Sequence, residues 1–181
     1  MTSRLKYIKN LPVICFLTVS ISACSPRLER PVTDQSGYSS VSTTLEKIAY
    51  NPLYDGVLKA RAINANNFYF LYLHFELPAE KIRYFRFDNG SNVLIKLSDN
   101  STVILFNDNR MRARRKEGLG ISTRSADVDC VLSDQDLLRI NSSAVTAISL
   151  QANNGDFDFD VDTKGDQMLK KLIELISTTG K

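Results

Sequence analysis

The sequence predicts an α+β domain, a bent antiparallel sheet or open barrel of about 7–9 strands closed by a C-terminal helix. Three observations predict it. From Val57 onward, apolar and polar residues alternate with a period of two, the signature of strands with one buried face. Turn-forming clusters separate these runs: Asn64-Ala65-Asn66-Asn67, Asp88-Asn89-Gly90-Ser91, Asp99-Asn100-Ser101 and Asn153-Asn154-Gly155. Asn and Gly tolerate positive φ, so such clusters read as tight hairpin connections, which join antiparallel neighbours. Near the C-terminus, Met168, Leu169, Leu172, Ile173, Leu175 and Ile176 form one broad stripe at helical spacing. A stripe of that kind has to cover a sheet or a partner.

Taken in order, residues 25–43 are polar and turn-rich, with Pro26, Pro31, Gly37 and a Ser/Thr cluster. They bury too little apolar surface to order themselves, so 24–43 is expected to be a flexible tether and 44–181 a single domain. Thr43 or Thr44 caps an expected short helix over Leu45–Tyr50 that Pro52 ends. Strands are expected over Val57–Ile63, Phe68–Leu77, Ile82–Asp88, Val93–Ser98, Thr102–Asn107, Ile121–Arg124, Asp127–Leu132, Val145–Gln151 and Asp156–Asp162. Ser133 with Asp136 reads as a capping box for a helix over Asp134–Ile140, and Thr163 with Asp166 as one for Lys164–Ser177. Sheet followed by terminal helix is similar to the order of pleckstrin-homology-like domains. The short helix before the last hairpin departs from that plan, and a likeness at this level does not fix function.

The N-terminus carries Arg4, Lys6 and Lys9 and no acid, then an apolar stretch from Leu11 to Val19, then mostly small residues. Basic, apolar, small is the order of a secretory signal. The apolar part is about ten residues, too short to span a hydrocarbon core as a helix. Ile21-Ser22-Ala23-Cys24 resembles the lipobox of bacterial lipoproteins. The resemblance implies that 1–23 is a signal peptide cut before Cys24. It also implies thioether lipidation of Cys24, acylation of the new N-terminus, and a membrane anchor. Ser25 stands where, in lipoproteins of two-membrane bacteria, an Asp would imply inner-membrane retention, so the expected address there is the outer membrane, facing the periplasm; a single-membrane bacterium would instead display the domain outside.

Once Arg4, Lys6 and Lys9 leave with the signal, 20 basic residues face 20 acidic ones. Residues 24–125 carry 15 basic and 10 acidic groups, whereas 126–181 carry 5 and 10. Cys15 leaves with the signal and Cys24 is expected to be lipidated. Cys130 is then alone, and its place in Val128-Asp129-Cys130-Val131-Leu132 on an inward strand phase reads as a buried, inert thiol.

Four groups bear on function. Phe68, Phe70, Tyr72 and His74 lie on the second face of a strand that is apolar on both sides, and form a candidate binding surface. Arg110, Arg112, Arg114, Arg115 and Lys116 form a compact basic cluster suited to anionic headgroups or envelope glycans. It is read as a loop, and export argues against nucleic acid as its ligand. Asp156, Asp158, Asp160 and Asp162 line one face of a strand. They are weak metal candidates, because the calcium-loop pattern fails at its Gly and Glu positions; a charged edge strand explains them without a metal. His74 is the only histidine, with no Gly-x-Ser-x-Gly and no Cys/His metal spacing, so no catalytic residues and no cofactor are assigned. The expected function is a non-catalytic, membrane-anchored envelope lipoprotein acting as an interaction or structural module on an envelope protein or polymer. The alternative is a carrier or sensor of an apolar ligand held between the sheet and the C-terminal helix.

Overall fold

The computed structural model describes residues 25–33, 35, 39–82, 84–118 and 121–178; Cys24 and the leader lie outside them. The strands are β1 (Val32–Thr33), β2 (Ser39–Ser42), β3 (Glu46–Asn51), β4 (Gly56–Ala65), β5 (Phe68–Pro78), β6 (Arg86–Phe87), β7 (Asn92–Leu97), β8 (Thr102–Phe106), β9 (Met111–Arg112), β10 (Arg114–Gly118), β11 (Ile121–Leu132), β12 (Val145–Ala152) and β13 (Gly155–Asp160). Helix α1 (Asp134–Ser142) lies between β11 and β12, and α2 (Thr163–Thr178) follows β13. Nine strands form one antiparallel path in the order β10-β11-β5-β4-β3-β13-β12-β7-β8, curled into an open half-barrel. This is the expected α+β architecture.

Alternation builds it. In β4 and β5 every second side chain is buried: Leu58, Ala60, Ala62, Leu71, Leu73 and Phe75 are all fully enclosed. Asn66 and Asn67 join them with φ of 51° and 68°, and Ala65 pairs with Phe68. Two consecutive positive-φ residues between paired strands make the turn whose twist matches the hairpin. Inside the curl, Phe75 meets the rings of Phe85, Phe87, Phe157 and Phe159 at centroid distances of 4.7–6.5 Å. Helix α2 lays Leu169, Leu172, Ile173 and Ile176 against this core, all at 0% exposure.

Several expectations are corrected. Residues 45–50 form β3, not a helix. A bulge between Lys47 and Ala49 turns both Ile48 and Ala49 inward, which imitates helical spacing. The expected tether is also partly structured. β2 pairs with the far end of β4, β1 pairs with β2, and Leu28 bridges Thr43. Thr43 is fully buried, and its Oγ1 accepts from the Ala62 amide at 3.0 Å, so this stretch continues β3's line along β4. The run Ile82–Asp88 shortens to β6, which pairs with β9 rather than turning through Asn89-Gly90 onto β7. Its work is to drop Phe85 and Phe87 into the core. Ile121–Leu132 is one strand instead of two. Asp156–Asp160 is not an edge strand, because β13 lies between β12 and β3. The cap of α2 is Asp162, whose Oδ1 accepts from the Gly165 amide at 2.7 Å. Asp166 instead reaches across to the Val145 amide at 2.9 Å.

Candidate functional site

The two ends of the curled path approach each other, and a cleft of 340 Å³ lies where β8 meets β11, lined by Ile104, Phe106, Asn107, Asp108, Val131 and Asp136 among others. Buried Asn107 closes one end. Its backbone bridges Cys130, its Oδ1 accepts from the Asp129 amide at 3.3 Å, and the Asp108 amide donates to the Asp129 carbonyl at 2.7 Å. At the other end, Arg139 of α1 donates to the Thr102 carbonyl at 2.9 Å. Successive residues of an antiparallel strand aim their N–H and C=O to alternate sides. The Asn107 amide bonds inward to Ser91, so Ile104 and Phe106 aim theirs into the seam. On β11, Asp129 faces the seam, and Val131 shares its phase. Beyond the Asn107–Cys130 bridge and the Arg139 contact, β8 and β11 do not pair among the described residues, and β8 is the last strand of the path.

Its side chains are apolar and exposed: Ile104 51%, Phe106 60% and Val131 48%. Val131 also pairs with Phe70 and Phe70 with Ile63, so the apolar strip continues along the outer face of the sheet to Phe68, which is exposed as well. Asp108 at the rim has no cationic partner among the described residues, and Asp129 is satisfied by Asn109 Nδ2 at 2.5 Å. The seam is thus apolar with an acidic border.

Of the four residues expected to form a binding surface, Phe68 and Phe70 lie along this strip, while Tyr72 and His74 on the same face are tied to Asp127. The Tyr72 hydroxyl donates to Asp127 Oδ1 at 2.6 Å, and His74 Nδ1 lies 2.7 Å from the same oxygen. The Arg61 guanidinium sits 5.2 Å from the Tyr72 ring centre. Burial, then the bond to Asp127, raise the Tyr72 pKa, so its phenol stays protonated and donating. This is a polar brace across β4, β5 and β11, with one carboxylate oxygen serving two partners.

Apart from Arg110, the basic cluster lies on strands β9 and β10 rather than in a loop, and the structure disperses it. Arg110 turns to Asp88 at 3.3 Å, Arg112 pairs with Arg86 across β6–β9, and Arg114 and Lys116 alternate with Arg115 along β10. Asp156, Asp158 and Asp160 project outward, exposed, from β13, while Asp162 caps α2. Among the described residues no three His, Cys, Asp or Glu side chains converge as a metal ion would require. Sequence reasoning missed Ile104, Phe106 and Val131. The signal was present, since Thr102–Phe106 is apolar on both strand faces just as Phe68–Leu77 is.

Cys130 is fully buried. Burial, with Asp129 and Asp108 adding negative charge, pushes its thiol up to about 12 from an ordinary 9.0. The folded value lies above the unfolded one, so this group contributes stability fully below pH 9.0 and loses it as pH rises towards 12. We expect alkylation of Cys130 to be undetectable in the native protein and to appear with the urea unfolding transition. Labelling at a rate independent of urea would show the thiol to be accessible in the folded state.

Compared with family models, with curated proteins and with solved structures, the chain matches none of them. Among the described residues no helix is long and apolar enough to cross a membrane.

Proposed function

We propose that the protein is a non-catalytic lipoprotein of the bacterial envelope, held to the outer membrane through Cys24 and facing the periplasm. On this reading it works by taking an extended segment of an envelope protein onto the open edge of β8. The short open stretch of β8 between the Asn107–Cys130 bridge and Arg139, with Ile104, Phe106 and Val131 exposed beside it, is the observation that supports this best. A segment added there gains ladder hydrogen bonds from the backbone and side-chain contacts from the rim, the combination by which sheet edges bind peptides. Asp108 and Asp136 at the cleft favour a segment in which apolar residues alternate with basic ones.

The carrier alternative draws less support, because, of the aromatic residues in Phe68–Phe75 that suggested it, Phe75 is fully buried against Phe85, Phe87, Phe157 and Phe159, and Phe68 is exposed. The inventory near His74 also favours a non-catalytic reading: the ring is held by Asp127, which is shared with Tyr72.

Synthetic peptides alternating Val with Lys, or Val with Asp, test the docking edge. The Val-Lys peptide is expected to slow amide exchange at Ile104 and Phe106, and the Val-Asp peptide to leave it unchanged. Phe106→Lys should abolish the protection while changing stability by only about 0.5 kcal/mol, since the side chain is already exposed. Equal effects of the two peptides, or protection that survives Phe106→Lys, would remove this edge as the site.

A further inference from the structure

A second polar site lies on the opposite face of β11 from the Tyr72 brace, where the β10–β11 hairpin runs past the core. Arg115 pairs directly with Arg124, and Glu117 with Ser122. Directly opposed residues of an antiparallel pair project from the same face with their Cβ atoms close together, and like charges so placed repel. The structure gives this repulsion little relief. Arg115 holds Glu117 at 3.2 Å, but those side chains are 55% and 74% exposed, and exposed pairs contribute weakly. Arg124 makes no ion pair and no side-chain hydrogen bond among the described residues, and its Nε is shut off from solvent without a partner. A charged donor in that condition is costly unless an acceptor meets it. The Ser122 hydroxyl accepts from Arg115 Nε at 3.2 Å, which leaves its own proton to donate. These three residues, with Ala79 and Glu80, line an open cleft of 500 Å³.

We propose that this cleft binds a single phosphate-type oxyanion, taken between the guanidinium groups of Arg124 and Arg115 with the Ser122 hydroxyl as a third donor. A planar guanidinium offers paired N–H groups that match two oxygens of such an anion. One anion between the two arginines removes their repulsion and supplies the missing acceptor. The exposed carboxylate of Glu80 on the same cleft disfavours an extended polyanion, so the ligand carries one anionic group at this point. Free phosphate and the phosphodiester of a lipid headgroup share this chemistry.

Titration calorimetry on the full chain, with inorganic phosphate and separately with glycerophosphoglycerol as the deacylated headgroup, each at matched ionic strength, tests it. Binding of phosphate alone assigns the site to the free anion, and binding of both assigns it to headgroups as well. Arg124→Gln is expected to weaken binding by about tenfold or more, as loss of a charge-assisted bidentate contact does. Arg112→Gln, which removes the same charge from β9, should leave it unchanged. If Arg124→Gln fails to fold, Ser122→Ala is read instead, with a smaller loss expected. No saturable heat with either anion overturns the proposal, and so does an equal loss in the Arg112 and Arg124 variants, which would mark a diffuse attraction.

Discussion

Gly165→Ala is expected to lower the unfolding free energy by about 3 kcal/mol and the melting temperature by roughly 10 °C. A Cβ at this position would fall 1.9 Å from the Ile48 carbonyl oxygen and 3.0 Å from its carbon. The obstacle is backbone, so no rotamer change relieves it. Neither side yields easily. Ile48 sits in the bulge of β3, held on both flanks by the pairs Lys47–Lys59 and Ala49–Leu58. Helix α2 is held by Asp166, whose carboxylate takes the Val145 amide at 2.9 Å, and by the fully buried Leu169 one turn on. Retreat of the helix by about an ångström breaks the first bond and opens the second contact, at a cost in the range known for overpacked cores. Alanine's better helix propensity returns about 1 kcal/mol at most. Urea unfolding of Gly165→Ala beside Lys164→Ala, an exposed neighbour, measures the difference. Equal midpoints for the two would show that α2 docks less closely than described.

How far the fold was legible follows from how local each signal is. The β4–β5 hairpin could be read because Asn66-Asn67 supply positive φ at the two positions a tight turn needs. Helix α1 could be read because Ser133 and Asp136 satisfy each other's amides in a capping box. α2 was legible from its apolar stripe. The failures are non-local. Ile48 and Ala49 both face inward only because of the bulge, so the run from Leu45 scores as a helix when its partner β4 is not in view. The order of Ser39–Ser42 within the expected tether went unread because a polar strand gains its order from the edge it joins, here Ser40–Ser42 on Ile63–Ala65. Asp156–Asp160 looked like an edge because alternating aspartates suit one, yet strand order is set by which hairpins the curl brings together. The seam was illegible for the same reason. That Phe106 and Val131 border one cleft depends on closing a sheet whose ends are separated by β9 and β10, and no spacing in the chain records it. The opposed pair Arg115–Arg124 likewise needs the register of a hairpin, and the basic cluster alone hid it among four other cations.

Cys24→Ser is expected to shift the protein from the membrane fraction to the soluble fraction almost completely. The forces available without lipid are small. Over residues 24–181, basic and acidic residues balance at 20 each, so attraction to anionic headgroups, about 1 kcal/mol per well-placed cation, largely cancels over the molecule. No described helix is long and apolar enough to span a bilayer. By contrast, each buried methylene of an acyl chain contributes about 0.8 kcal/mol, and several chains on one residue hold a protein where a single chain binds only marginally. The outcome should therefore be close to all-or-none. On the proposed anchor reading, serine at 24 would also block cleavage before that residue, so fractionation alone mixes two effects. The mass of the N-terminal peptide separates them. The natural protein should begin at residue 24 with its sulfur and amine acylated, while the variant keeps its leader or is cut elsewhere. A natural product that retains residues 1–23, or begins with an unmodified thiol and washes from membranes in alkaline carbonate, would defeat the anchor and the envelope reading together. The seam and the arginine pair would survive that result, because neither depends on where the chain is tethered.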